Sequence, residues 1–210
     1  MNKAINSFLK FVPDESWIQG SCNLPWLKLD ICVPGEVIIK ESDALYSYAV
    51  DHRSQDSLMN YTHQGWRSLT LYGVSAETTQ ECPGKKIWTS IAERCPKTVE
   101  FIKTHWEINE STGRIRFMWL DPGGYILPHN DRSDKGFYEC NVAVNNPHEC
   151  RFRFMNFGTV PFENNSAFLV DISNKHFVVN QSSQLRTHLI VHASLKSGIL
   201  KSSYEQNFYS

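Results

Sequence analysis

What most limits the folds open to this sequence is the stretch after Gly113, where short apolar segments alternate with turn residues and no helical periodicity intervenes. RIRFMWLD runs from Arg114 to Asp121 and stops at Pro122-Gly123-Gly124, and FYECNVAV runs from Phe137 to Val144 and stops at Asn145-Asn146-Pro147. RFRFMNF follows to Phe157, then AFLVD (Ala167 to Asp171), HFVVN (His176 to Asn180) and RTHLIVHA (Arg186 to Ala193). Short strands at about 8 to 12 residue spacing, with no helix between them, predict an antiparallel sandwich or jelly roll.

The first half reads differently. From Pro34 to Arg53 the residues Val37, Ile38, Leu45, Tyr48 and Ala49 recur at roughly helical spacing, and Lys85 to Arg94 and Pro96 to His105 read as two short helices split at Cys95-Pro96. Arg67 to Tyr72 alternates as a strand closed by Gly73. No repeat, low-complexity tract or linker interrupts the chain, so one domain is expected, mainly β with flanking helices. Residues 1–113 would form a mixed α/β support on the substrate side, 114–193 the β core, and 194–210 a polar tail to which the pattern assigns no element.

A chain of 210 residues buries about two-thirds of its unfolded surface and needs neither metal nor disulfide merely to fold. Any metal-ligand pattern in it therefore reads as chemistry before scaffolding. The 21 basic and 22 acidic residues are interspersed, which argues against nucleic acid and membrane surface as main partners and leaves small molecules or peptides. No run approaches the ~18 apolar residues that cross a bilayer, and Met1 to Trp26 lacks the apolar core of a secretion signal. The six cysteines, Cys22, Cys32, Cys82, Cys95, Cys140 and Cys150, form no C-x-x-C pair. They are expected to be free and mostly buried, in a cytoplasmic protein.

The residues with metal chemistry lie in the second half. In an extended segment residues i and i+2 project to one side, so His129 and Asp131 can offer an imidazole nitrogen and a carboxylate to one ion. His105-Trp106-Glu107 has the same form but sits at the end of a predicted helix, with no matching partner downstream. His129 and Asp131 have such a partner: His176 opens a later strand and Arg186, ten residues on, opens the next. Two His and one carboxylate on one side of an ion form the facial triad of non-haem Fe(II) oxygenases, whose open positions take a chelating co-substrate and O2. If the strands from His176 and Arg186 form a hairpin, Arg186 lies about four residues deeper, ~13 Å at ~3.3 Å per residue. A 2-oxoglutarate chelating iron by its keto acid end would span that gap to the guanidinium, which suits a carboxylate bidentately.

The runs Arg114 to Asp131 and Phe168 to Val191 resemble the aspartyl/asparaginyl β-hydroxylase-like family of 2-oxoglutarate- and Fe(II)-dependent oxygenases, which also contains free proline hydroxylases. The matching marks, in order, are H-x-D (His129, Asp131), D-x-x-x-x-H (Asp171, His176), V-x-N (Asn180) and the Arg ten after the His. The resemblance implies a double-stranded β-helix (jelly roll, cupin-like), with His129, Asp131 and His176 as iron ligands and Arg186 anchoring 2-oxoglutarate. Members acting on peptide Asp or Asn often lack the carboxylate ligand, so Asp131 points to the amino-acid hydroxylases. A free amino acid or small derivative is then the first substrate choice, and an Asp, Asn or Pro residue in a peptide the second. Where relatives often carry Arg-x-His this chain has Glu139-Cys140-Asn141, and Asn141 would offer a neutral hydrogen bond to the metal-bound end of the co-substrate.

Other readings stand beside these. Tyr61, His63, Trp66 and Arg67 form an aromatic and basic cluster suited to an amino-acid substrate, or simply pack as core. Arg116 would hold a substrate carboxylate if its face of the strand lines the barrel, and otherwise faces solvent. Arg186 has a structural alternative, a salt bridge to Asp171. His188 and His192 share strand parity with Arg186 and are expected to be structural. The competing function is a jelly-roll protein that binds metal or a small ligand without oxidation.

Overall fold

A computed structural model describes residues 24–52, 63–80, 82–131 and 139–208. Its elements in chain order are β1 (Trp26–Lys28), α1 (Gly35–Leu45), β2 (Val50–Asp51), β3 (His63–Gly73), β4 (Ile87–Trp88), α2 (Pro96–His105), β5 (Trp106–Glu107) and β6 (Ile115–His129). Then follow β7 (Glu139–Asn145), β8 (Cys150–Phe154), β9 (Gly158–Thr159), β10 (Ser166–Val170), β11 (His176–Asn180), β12 (Arg186–Val191), β13 (Ser194–Leu195) and α3 (Ile199–Phe208).

Among the described residues the strands form one curled antiparallel sheet in the order β1-β10-β7-β12-β6-β11-β8-β9, with β3 also on β6 and β2 and β4 on β3. β5 and β13 pair separately. Strand β6 serves both halves of the jelly roll. Its first part pairs with β12, from Arg186 opposite Leu120 to Val191 opposite Ile115. Its second part pairs with β11, with His176 opposite His129 and Val179 opposite Tyr125. β3 lines the other edge along nearly the whole length. The strands from His176 and Arg186 are thus not a hairpin, so the condition under which Arg186 would lie four residues deeper is not met. They follow one another along the same edge of β6.

Pro122-Gly123-Gly124 bends β6 rather than ending it, which is why the strand runs on past the expected stop at Asp121. Gly123 has φ 72°, which suits glycine. A Cβ on Gly124 would lie 2.8 Å from the Asp121 carbonyl oxygen and 2.9 Å from that of Gln64. Asn180, fully buried, locks the bend. Its Nδ2 donates to the carbonyls of Leu120 (3.0 Å), Asp121 (3.1 Å) and Gln184 (2.8 Å), while its Oδ1 accepts from Ser182 N and Oγ. From the outer side Tyr46 donates its hydroxyl to Asp121 Oδ1 at 2.5 Å, and Arg67 Nε donates to Oδ2 at 3.2 Å.

Alternation along β6 separates two cores. Ile115, Phe117 and Trp119 join Leu69, Val142 and Leu189 against Ile38 and Leu45 of α1 and Phe101 and Ile102 of α2. Leu120 and Ile126 join Phe152, Phe154, Phe168 and Val178 inside the barrel. The helices differ in extent from the sequence reading. α1 stops at Leu45 and gives way to a 3-10 turn, Tyr46–Tyr48, because Ala49 is already extended. Of Lys85 to Arg94 only Ser90–Arg94 is helical, as a 3-10 segment. Pro96 starts α2 as expected, its missing N–H harmless in the first turn. β8 ends at Phe154, short of Phe157, and the tail carries β13 and α3.

Of the cysteines, Cys95, Cys140 and Cys150 are free and buried, and Cys32 and Cys82 are free but accessible. Cys22, Tyr61 and the strand start at Phe137 lie outside the described residues. Among the described residues no helix is long and apolar enough to cross a membrane.

Asn180→Asp turns the donor that faces three carbonyl oxygens into an acceptor, leaving those carbonyls unsatisfied and repelled. The expected loss is about 3 kcal/mol or more of unfolding free energy, read by urea denaturation, with Asn180→Ala milder.

Candidate metal centre

At the end of the barrel away from the β6 bend, His129 and His176 face each other across the β6–β11 pair, with ring centroids 4.3 Å apart. Asp131, just beyond β6, is held by its backbone N–H donating to the Ile172 carbonyl at 3.1 Å. Its Oδ2 lies 3.7 Å from His129 Nε2 and 3.8 Å from His176 Nε2. The three ligand atoms fall within 4.8 Å of one another.

Both imidazoles are oriented from behind. His129 Nδ1 lies 2.7 Å from the Leu127 carbonyl and His176 Nδ1 lies 2.9 Å from that of Asn174. A carbonyl only accepts, so each Nδ1 carries a proton, and Nε2 is the ring nitrogen turned toward Asp131. Phe152 stacks on the His176 ring at 4.9 Å with a 7° tilt, and Phe154 meets it edge-on. Two imidazole nitrogens and one carboxylate oxygen suit a divalent transition ion of the iron class, with positions left over for other ligands.

The Asp171 carboxylate accepts from Ser173 Oγ and Asn174 Nδ2, shaping the turn that presents His176. It makes no ion pair with Arg186, so that alternative is not realised. Arg186 stands at the bend level, opposite Leu120, buried and, among the described residues, with no carboxylate partner. Its NH2 donates to His188 Nδ1 at 2.9 Å, and its Nε has no hydrogen-bond partner among the described residues. Burial lowers this guanidinium from its ordinary value, with Cys150 and Glu139 opposing the shift. Arg186 is opposite Leu120 and His176 opposite His129, so the bend and the second part of β6 lie between the Arg186 level and the triad. Aromatic contacts mark the interior between them: His176 to Phe152, Phe152 to Phe162 at 6.0 Å and Phe162 to His188 at 4.8 Å.

The remaining candidates divide by strand parity. Arg116 shares the barrel face with Met118 and Leu120 and is buried, so the solvent-facing reading does not hold. Trp66 packs against the barrel core, with His63 edge-on at 5.5 Å and His52 at 4.2 Å. Arg67 points to the other face, paired with Asp121 and 3.7 Å from Asp51. It is occupied in bracing the bend and is not part of the barrel cluster. Asn141 lies on the barrel face, but its Nδ2 donates to Glu139 Oε1 at 2.8 Å.

Glu139 is the group whose role sequence reading missed. Burial favours its neutral form, yet a 3.3 Å contact with His192 Nε2, the charge of Arg116 and the Asn141 amide outweigh burial and hold its carboxyl down to about 2. Burial pushes His192 the other way, below its ordinary value, helped by Arg116. The pair is best described as an ionised carboxylate accepting from a neutral imidazole. The only sequence signal was the parity of His188 and His192 with Arg186.

The sequence profile described as Aspartyl/Asparaginyl beta-hydroxylase matches residues 35–194. No curated protein matches the chain in sequence. Among solved structures, a Pseudomonas putida prolyl-4-hydroxylase is similar with TM-score 0.47 and 13% identity, covering 89% of this chain and 98% of its own. A viral collagen prolyl hydroxylase from Paramecium Bursaria Chlorella virus-1, in a 2OG complex, gives TM-score 0.43 and 13% identity over 80% of this chain and 94% of its own. A Burkholderia pseudomallei oxidoreductase of the 2OG-Fe(II) oxygenase family gives 0.48 and 10% over 74% and 77%.

Because the folded Glu139 carboxyl titrates below the ordinary 4.5, it contributes stability that is full above pH 4.5 and is lost as pH falls toward about 2. Thermal melts of wild type and Glu139→Gln should therefore differ most near neutrality and converge across that acid window.

Proposed function

The chain belongs to the aspartyl/asparaginyl β-hydroxylase family and is a 2-oxoglutarate- and Fe(II)-dependent hydroxylase; from that premise we propose which residues carry the reaction and which substrate it takes. His129 and His176 through Nε2, with the Asp131 carboxylate, hold the iron. Arg186 grips the distal carboxylate of 2-oxoglutarate. The observation that carries this reading is the convergence of three ligand atoms within 4.8 Å, with each imidazole already turned by a backbone carbonyl. The deep guanidinium without a carboxylate partner supports it further, since a protein that only bound metal would have no use for one.

When bound, Fe(II) with 2-oxoglutarate and O2 supplies the oxidant that hydroxylates an unactivated C–H bond, leaving succinate and CO2. The chain's own work is placement. Leu127 and Asn174 keep the Nδ1 protons where they are, so the ligating nitrogens need no reorganisation when the ion arrives. Phe152 and Phe162 wall the interior and exclude water from the reacting centre. No side chain has to act as general acid or base.

The substrate is a free amino acid or a small derivative of one. Arg116, buried on the barrel face of β6, would take its carboxylate, and ionised Glu139, which feels the Arg116 charge, would offer a counter-charge to an ammonium group. Trp66 and His63 supply apolar and polar contact from β3. A peptidyl Asp, Asn or Pro remains the second choice, and it lacks the free zwitterion that this pair of charges matches.

Incubation with Fe(II), ascorbate, 2-oxoglutarate and a panel of free amino acids and short peptides should give succinate and a product heavier by one oxygen, read by mass spectrometry. Asp131→Ala should lose roughly 100-fold or more of metal affinity and the succinate with it. Turnover of peptides but of no free amino acid would overturn the substrate assignment, and unchanged metal binding in Asp131→Ala would overturn the ligand set.

A further inference from the structure

The barrel interior holds a histidine that the reaction as described does not use. His188 is fully buried on β12, two residues from Arg186, and its ring has three polar neighbours. Nδ1 lies 2.9 Å from Arg186 NH2 and 3.2 Å from Asn141 Oδ1, while Nε2 lies 3.2 Å from Asn146 Oδ1. These contacts decide where its proton sits. Asn146 Nδ2 faces the Cys150 carbonyl, so its Oδ1 is the atom turned to His188 and Nε2 must be the N–H. A guanidinium has only donors, so Nδ1 must be the lone pair. Both demands are met by one neutral tautomer. Burial and the neighbouring Arg186 charge lower the imidazole well below its ordinary value, which keeps it in that neutral form. Asn141 cannot claim Nδ1 as a donor without taking the acceptor from Arg186, and Glu139 already fixes the Asn141 amide.

We infer that His188 is a positioning residue, whose Nδ1 lone pair holds one NH2 of Arg186 and so turns the rest of the guanidinium toward the distal carboxylate of 2-oxoglutarate. The inference rests on the reading of Arg186 as the co-substrate anchor. An arginine side chain has many rotamers, and one left loose in a barrel would lose part of its binding energy in being ordered. His188 fixes it beforehand. It takes up one donor without offering a negative charge, which an Asp or Glu in the same place would do at the expense of the incoming carboxylate. Nε, left without a partner, is among the donors kept for that carboxylate.

The test uses the full chain loaded with Mn(II), which binds without turnover, and measures the Kd of two acids by calorimetry. 2-Oxoglutarate has the distal carboxylate; 2-oxobutanoate chelates the metal through the same keto acid group but lacks it. His188→Leu should weaken 2-oxoglutarate by about 10- to 100-fold, the value of one charge-assisted hydrogen bond, and leave 2-oxobutanoate within about twofold. His188→Asn, whose amide oxygen falls near the Nδ1 position, should stay within about threefold of wild type. His188→Gln, whose amide reaches the Nε2 position instead, should behave like Leu, which keeps the test valid if Leu fails to fold. Equal weakening of both acids, or wild-type affinity in the folded Leu or Gln variant, would overturn the positioning role. If wild type itself binds 2-oxoglutarate no better than 2-oxobutanoate, it is the assignment of Arg186 that falls.

Discussion

The bend of β6 at Asp121 to Gly124 is the constraint on which the rest of the molecule depends. A single strand feeding two halves of a sheet must turn without leaving its carbonyls unpaired, since a buried backbone oxygen without a donor costs about as much as a lost hydrogen bond. Asn180 meets that need with one amide, and it is also the last residue of β11. The same side chain therefore closes the bend, ends the strand that begins with His176 and sets the turn leading into Arg186. Tyr46 and Arg67 brace the outer side through Asp121, and burial and that contact push the Tyr46 hydroxyl up to about 12, so it remains a donor at any working pH. Triad and anchor end up at two levels of one barrel because the strand that carries them both is folded there.

The electrostatics of the interior follow from the same confinement. Arg186 and Arg116 are buried cations, Glu139 is a buried anion, and both histidines among them are held neutral by burial and by an adjacent guanidinium. Glu139 lies closer to Arg116, while Arg186 feels the Glu139 charge only at a distance and, among the described residues, makes no ion pair with a carboxylate. A buried charge in that state is costly and waits for a partner. A dicarboxylic co-substrate relieves it, and the near-zero net charge of the whole chain contributes nothing to that recognition.

Much of this could be read from the chain, and the parts that could not share a cause. The strands after Gly113 were legible because turn residues punctuate them so often, and the H-x-D, His176 and Arg186 because metal and carboxylate chemistry restricts residue type so tightly. The pairing was not. Residues 176 and 186 look like the two arms of a hairpin in one dimension, and only the sheet shows that both lie along β6. Pro122-Gly123-Gly124 was misread as an end for a related reason: the signals that stop a strand also bend one. Glu139 stayed hidden because its ionised state depends on Arg116 of β6 and on His192, just past the end of β12.

Trp66 and Arg67 show how finely the sheet divides labour. They are adjacent in sequence and similar in what they could offer an amino-acid substrate, yet pleating sends one into the barrel and the other to the opposite face, where Asp121 takes it up. β3 therefore does two things with alternate residues: it lends Trp66 to the barrel core, whose Phe152 stacks on His176, and it clamps the bend that positions the anchor. The first half of the chain is tied to β6 by strand pairing from Ile115 to Ile126 rather than laid over it. A change of substrate preference made in β3 must consequently be made on the Trp66 parity, because the Arg67 parity would loosen the bend and move Arg186 with it.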